Sequence, residues 1–213
     1  MPVMQRVRAS IAAHYELCFS TYGATTEGAA WGNNTERLYT RWRLIYEILH
    51  LDPTGVQNKP SVLDVGCSYG GMYGYALAHG IDIQYYGIDI VEDAVNSAKT
   101  QFPSVKFEIG DFATLYPANS FDYVVECGIF AAKGKVSHND MRVYWKETIL
   151  SMFDKCRKGI AFNVFTNKVN IFHEESFYLS PLEALAFCME NMSDKIIVNH
   201  ASGLFDYFVY VYK

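Results

Sequence analysis

The sequence contains no apolar run near the ~18 residues that a membrane-crossing helix needs, so no membrane association is expected. The first ten residues carry arginines but no apolar stretch, which speaks against a secretory leader. Cysteines number five, an odd count, and none stand in a C-x-x-C pair. That usage reads as reduced thiols in the cytoplasm and gives no metal site. Positive charge is in deficit, 18 Lys and Arg against 23 Asp and Glu, leaving −5 and no basic footprint for nucleic acid. Repeats, low-complexity tracts and linker-like stretches are missing as well, so residues 1–213 read as one domain.

What is present is apolar and aromatic: 50% hydrophobic and 15% aromatic residues, enough for a substantial core and against disorder. The chain is organised around Ser61-Val62-Leu63-Asp64-Val65-Gly66-Cys67-Ser68-Tyr69-Gly70-Gly71. Val62, Leu63 and Val65 read as a buried parallel strand, Gly66 to Gly71 as a turn of small residues, and Met72 to His79 as a helix. A strand, glycine turn and helix let backbone approach a ligand and aim free N–H groups at a negative or carboxylate-bearing group. About twenty residues on, a second strand over Tyr85–Ile88 ends in Asp89, an acid suited to both hydroxyls of a ribose.

This stretch resembles the first motif of the class I S-adenosylmethionine-dependent methyltransferases, with Ser68 in place of the middle glycine of Gly-x-Gly-x-Gly. The lead-in Tyr22-Gly23 and Trp31, the pair Arg41-Trp42 and the segment Lys158 to Asn163 are similar to a subgroup of small bacterial-type members. The resemblance implies an α/β fold: a doubly wound, seven-stranded, mainly parallel sheet with an antiparallel last strand, behind an N-terminal helical lead-in or lid over residues 1–60. It implies S-adenosyl-L-methionine as cofactor. Asp64, Gly66, Cys67, Ser68, Gly70, Asp89, Ile90, Asp111, Phe112, Glu126 and Cys127 would bind it, with Asp111 on the adenine amino group and Phe112 on the ring. Arg41 is the candidate partner of the cofactor carboxylate, because its planar fork matches that group.

Taken in order, residues 3–20 and Glu36 to Leu51 have helical spacing, with Asn34 or Thr35 as cap of the second helix. Val91 to Phe102 reads as a helix, Val105 to Ile109 as a strand, and Phe121 to Gly128 as another strand whose end faces the same cleft. Asn139 to Lys158 reads as one long helix with a cationic end, stopped by Gly159, before a strand over Gly159–Thr166. A polar and aromatic loop runs to Tyr178. Ser180-Pro181 opens a last helix, and Ile196–Val198 and Tyr207–Tyr212 close the sheet as a short-connected, antiparallel pair.

Three rival readings weigh against this one. Gly66-Cys67-Ser68-Tyr69-Gly70 also fits the nucleophile elbow of a serine hydrolase acting through Ser68, with His138, His173 or His200 downstream. That reading lacks an upstream oxyanion segment and leaves Asp89 and Asp111 without a role. A dinucleotide oxidoreductase expects glycine at position 68. A non-catalytic nucleotide-binding module stays open.

The acceptor is read as a small molecule, a metabolite, sugar or lipid-linked group methylated on O or N. Tyr22, Trp31, Phe130 and Tyr178 are the aromatic candidates to line its pocket. Glu126, His138 and His173 are candidate bases for a hydroxyl acceptor. The Asn/Asp-Pro-Pro-Tyr segment of amino-methylating nucleic-acid enzymes is absent at Glu126–Phe130, which speaks against nucleic acid; an RNA or protein acceptor is the alternative reading. A monomer or homodimer is expected.

Overall fold

The computed structural model describes residues 2–55 and 58–213. Two helices lead in: α1 (Val3–Tyr22) and α2 (Thr35–Leu51). Asn34 caps α2, its side chain accepting from the Arg37 N–H at 3.0 Å, which satisfies one of the free donors of the first turn. Then come β1 (Ser61–Val65), α3 (Gly71–Ala78), β2 (Gln84–Asp89), α4 (Glu92–Gln101), β3 (Lys106–Ile109) and α5 (Phe112–Leu115). The second half holds β4 (Phe121–Glu126), α6 (His138–Lys155), β5 (Cys156–Thr166), β6 (Tyr178–Leu179), α7 (Pro181–Asn191), β7 (Ile196–Asn199) and β8 (Asp206–Tyr212).

The sheet runs β3-β2-β1-β4-β5-β8-β7, with β6 added beside β5 as an eighth strand. All pairs from β3 to β5 are parallel, whereas β8 is antiparallel to both β5 and β7. The expected mainly parallel sheet is therefore present, one short strand larger than seven. Helices cover both faces, and side-chain alternation along each strand feeds two cores. Leu63, Val65, Val124, Phe162 and Val209 pack with α1 and α6 residues; Val62, Val125, Ala161, Phe208 and Tyr210 pack with α2 and α3 residues.

One boundary differs from expectation for a clear reason. Helix α6 ends at Lys155, and β5 starts at Cys156, so Arg157 and Lys158 are strand residues and Gly159 stops nothing. Gly159 sits between Tyr123 of β4 and Tyr212 of β8 in the ladder, and a Cβ there would lie 2.8 Å from the Val211 carbonyl oxygen. The glycine serves close strand approach. Short β6 begins at Tyr178, where an irregular loop is expected to end.

The pairing aligns the ends of three strands. Val65 is opposite Ile88 on one side and Glu126 on the other, so the residues that follow β1, β2 and β4 emerge side by side. Strand order reverses between β1 and β4, the place where open α/β sheets form a ligand crevice.

Candidate functional site

Past the end of β1 the backbone turns sharply. Gly66 (φ 83°), Ser68 (φ 48°) and Gly70 (φ 80°) all take left-handed conformations, and Gly70 is the N-cap of α3. Asp89 fastens this turn to β2. One of its carboxylate oxygens accepts from the Ser68 N–H at 2.8 Å, and the other accepts from the Val91 N–H at 2.9 Å. Each oxygen keeps acceptor capacity toward the crevice. Gly66 needs its missing side chain, since a Cβ there would lie 2.3 Å from Ile129 Cγ2. Beyond β3, Asp111 caps α5 by accepting from the Ala113 N–H at 3.1 Å, and Phe112 is buried.

A cavity fills this crevice. Its lining joins Asp64, Gly66, Cys67 and Ser68 to Asp89, Ile90, Asp111 and Phe112, with Cys127 and Ile129 from the end of β4. From α1 come Arg8, Ile11, Tyr15 and Phe19, which roof the crevice. The Tyr15 hydroxyl donates to the Gly128 carbonyl at 2.9 Å, and Arg8 pairs with Asp111 at 2.5 Å.

A family model described as "Methyltransferase domain" matches residues 62–149, the span from β1 through α6 that carries the crevice. "Putative methyltransferase Rv1506c" of Mycobacterium tuberculosis is 24% identical over 155 residues, covering 72% of this chain and 93% of its own. Among solved structures, magnesium protoporphyrin IX methyltransferase from Synechocystis PCC 6803, with bound SAM, superposes with a TM-score of 0.63 at 12% identity, covering 100% of this chain and 98% of that one. The 1,6-didemethyltoxoflavin-N1-methyltransferase of Burkholderia thailandensis gives a TM-score of 0.65 at 14% identity, over 100% and 91%. Residues 62–149 thus match a methyltransferase domain, and the chain has the fold of the class I S-adenosylmethionine-dependent methyltransferases. The class uses S-adenosyl-L-methionine, and the residues fit such a group: a carboxylate at the β2 end with free acceptor positions, a side-chain-free turn at Gly66, and a helix N-terminus at α3.

Burial shapes the electrostatics of the crevice. Burial raises the Asp64 carboxyl to about 7, against the hydroxyl of Tyr85, which donates to it. It raises Glu126 further, to about 8, although the Asn163 and Ile129 N–H groups both donate to that side chain. Burial also raises Asp89, offset in part by its backbone donors.

Several expected site residues lie elsewhere. Arg41 does not line the crevice. Its fork closes on Asp206, Nε to Oδ2 at 2.6 Å and Nη2 to Oδ1 at 2.7 Å, and the cofactor-carboxylate expectation is corrected accordingly. Glu126 is fully buried, both its oxygens hold backbone of the β4–β5 region, and it lines neither cavity. Gly70 is part of the turn but outside the lining; a Cβ there would press on Phe102 and Phe107 at 3.1 Å. His138 donates through Nε2 to the Tyr178 carbonyl at 2.7 Å, stacks obliquely on Phe177 and lines neither cavity. Phe130 is a core residue packed edge-on against Tyr144 and Phe162. Tyr22 is exposed and lines neither cavity.

Trp31, Tyr178 and His173 meet in a second cavity of about 530 Å³, between the α2 entry and the loop before β6. Trp31 lines both cavities, so the two adjoin at its ring. The Arg41 guanidinium lies 4.3 Å from the Trp31 ring centre on one side, and Gly128 (φ 103°) accommodates the ring on the other, where a Cβ would lie 2.2 Å from Cζ2. Sequence reading missed the contribution of α1. Arg8, Tyr15 and Phe19 carried only a helical-spacing signal, and nothing local marks which face of a helix roofs a cleft.

Proposed function

We propose that this protein moves a methyl group from S-adenosyl-L-methionine, held in the crevice, to an oxygen or nitrogen of a small-molecule acceptor held in the second cavity. The observation that carries the reading is the shared lining residue: two cavities of different chemistry adjoin at Trp31. On this reading Asp89 takes the ribose hydroxyls, Asp111 and Phe112 take the adenine edge and face, and Gly66, Cys67, Ser68 and the α3 N-terminus take the amino-acid end with Asp64. When bound, the cofactor supplies an electrophilic methyl on a positively charged sulfur, which needs no activation of its leaving group.

The chain's own part is placement and exclusion of water. Holding reactants in line supplies roughly 7–11 kcal/mol of a barrier when well executed. Tyr15 and Phe19 cover the crevice, and Trp31 borders it on the side of the second cavity. A hydroxyl acceptor also needs a base. Of the three candidates His173 alone lines the second cavity, and it takes that role here. Five cysteines without a disulfide among the described residues suit a cytoplasmic enzyme.

A screen with methyl-labelled cofactor against pools of small aromatic acids, phenols, amines and sugars tests the reading. Label transfer to a low-molecular-weight product, abolished by Asp89→Ala, is expected. Transfer only to RNA or protein in parallel pools overturns the small-molecule acceptor.

A further inference from the structure

The second cavity has a charge character that the acceptor reading leaves open. Its lining contains Arg37, Arg41 and His173 and no Asp or Glu. Arg41 is neutralised by Asp206. Arg37 is in no ion pair with any described carboxylate, and its guanidinium lies 5.6 Å from the centre of the Phe205 ring. The remaining acids of the neighbouring segments point elsewhere: Glu174 and Glu175 are exposed, Glu27 accepts from Thr26, and none of them, nor Glu36, lines the cavity.

The rest of the lining is of two kinds. Trp31, Phe165, Tyr178 and Phe205 supply flat apolar surface. Asn33, Asn34 and Asn170 supply polar edges, and the first pair leads into the N-terminus of the 17-residue helix α2, whose dipole adds positive potential on the Arg37 side. A cavity of this size suits a ligand of drug-like dimensions, within the roughly 300–1,000 Å³ of small-molecule pockets. An unpaired guanidinium in such a setting leaves its five donors in a fixed fork for a planar or tetrahedral anion.

We propose that the acceptor carries an anionic group, a carboxylate or a phosphate monoester, received by Arg37, on an aromatic or similarly flat body held among Trp31, Phe165, Tyr178 and Phe205. The proposal rests on the second cavity being the acceptor site and names the class of acceptor it takes. Arg37 is a specificity-determining residue: it binds the end of the acceptor away from the methyl and selects charge.

The test is a ligand-observed NMR titration of the full chain with four probes: benzoate, phenyl phosphate, benzamide and benzyl alcohol. It is run with and without S-adenosylhomocysteine, whose own affinity is measured calorimetrically. Benzoate or phenyl phosphate is expected to bind at least about tenfold more tightly than the neutral pair, because only the anions form a charge-assisted pair with Arg37. Which of the two anions leads tells carboxylate from phosphate. Arg37→Gln should remove the preference while leaving S-adenosylhomocysteine affinity unchanged, and Arg37→Lys should restore part of it. Equal binding of charged and neutral probes overturns the proposal, as does a preference that survives in Arg37→Gln. Failure to bind S-adenosylhomocysteine would sink the donor-site reading instead, and the anion preference is read independently of it.

Discussion

Arg41 and Asp206, 165 residues apart, are joined by two parallel hydrogen bonds in the buried interior. Asn163 adds a third, its Nδ2 donating to Asp206 at 2.7 Å, while its Oδ1 accepts from the Gly128 N–H at 3.0 Å. The result is a polar chain from α2 through β8 and β5 to the loop that ends β4. Removing one partner of such a pair leaves a buried charge alone, which costs about 3–5 kcal/mol.

Arg41→Ala and Asp206→Ala should therefore each lower the urea unfolding free energy by about 3–5 kcal/mol, and the double variant should lose less than the sum. Denaturation curves with a double-mutant cycle measure this. A single variant with an unchanged midpoint but a selective loss of donor affinity would return Arg41 to the cofactor.

Asp89 and Arg8 should act in opposite directions on donor binding. Asp89→Ala removes the acceptor of two backbone N–H groups and, on the proposed reading, of the ribose hydroxyls, and calorimetry with S-adenosylhomocysteine should show a loss of at least about tenfold. Arg8→Gln releases Asp111 from its partly exposed ion pair, whose strength is about 0.2–1 kcal/mol. Affinity should rise by up to about fivefold. A fall in affinity for Arg8→Gln would count against Asp111 as the adenine contact.

The turn after β1 makes a sharper prediction about Ser68. A left-handed conformation costs an ordinary residue about 1–2 kcal/mol, and glycine escapes this at an entropic cost of about 0.5–1 kcal/mol. Ser68→Gly should be close to neutral or stabilise by up to about 1 kcal/mol, with donor binding kept. Ser68→Val, stiff at its Cβ, should destabilise and weaken donor binding. A Gly variant that abolishes binding would show that the hydroxyl itself is needed.

Stability without ligand should fall as pH rises from about 5 to about 8. Unfolded carboxyls titrate near ~4. In the folded chain burial raises Asp64 to about 7 and Glu126 to about 8, and raises Asp89 as well. In that window the folded chain keeps protons that the unfolded chain has released, so each such group lowers stability as pH rises until its folded pKa is passed. Glu126→Gln should flatten the upper part of the slope. Denaturation midpoints at pH 5, 6, 7 and 8 that stay level or climb would contradict this origin.

The parts of this fold legible in the sequence are those fixed by short-range chemistry. Asp64 to Gly71, Asp89 and Asp111-Phe112 sit where strand-then-turn reasoning puts them, because the parallel register brings strand ends together whatever the helices do. Long-range partners were not legible. Nothing near Arg41 announces Asp206, and nothing near Glu126 announces that the Asn163 and Ile129 N–H groups will claim both its oxygens. The end of α6 was misplaced for a similar reason: Lys155, Arg157 and Lys158 look like a helix terminus until the partners of β5 are known.

The line drawn by Trp31 bears on how such a protein can diversify. On one side the crevice is built from the ends of β1 to β4 and roofed by α1; on the other the cavity is built from residues 30–41, the 165–178 segment and Phe205. These second segments sit outside the register that the sheet depends on, apart from the β5 end and β6. New acceptors are thus within reach of loop grafts, a change of cargo without a change of engine, and variation among relatives should concentrate there.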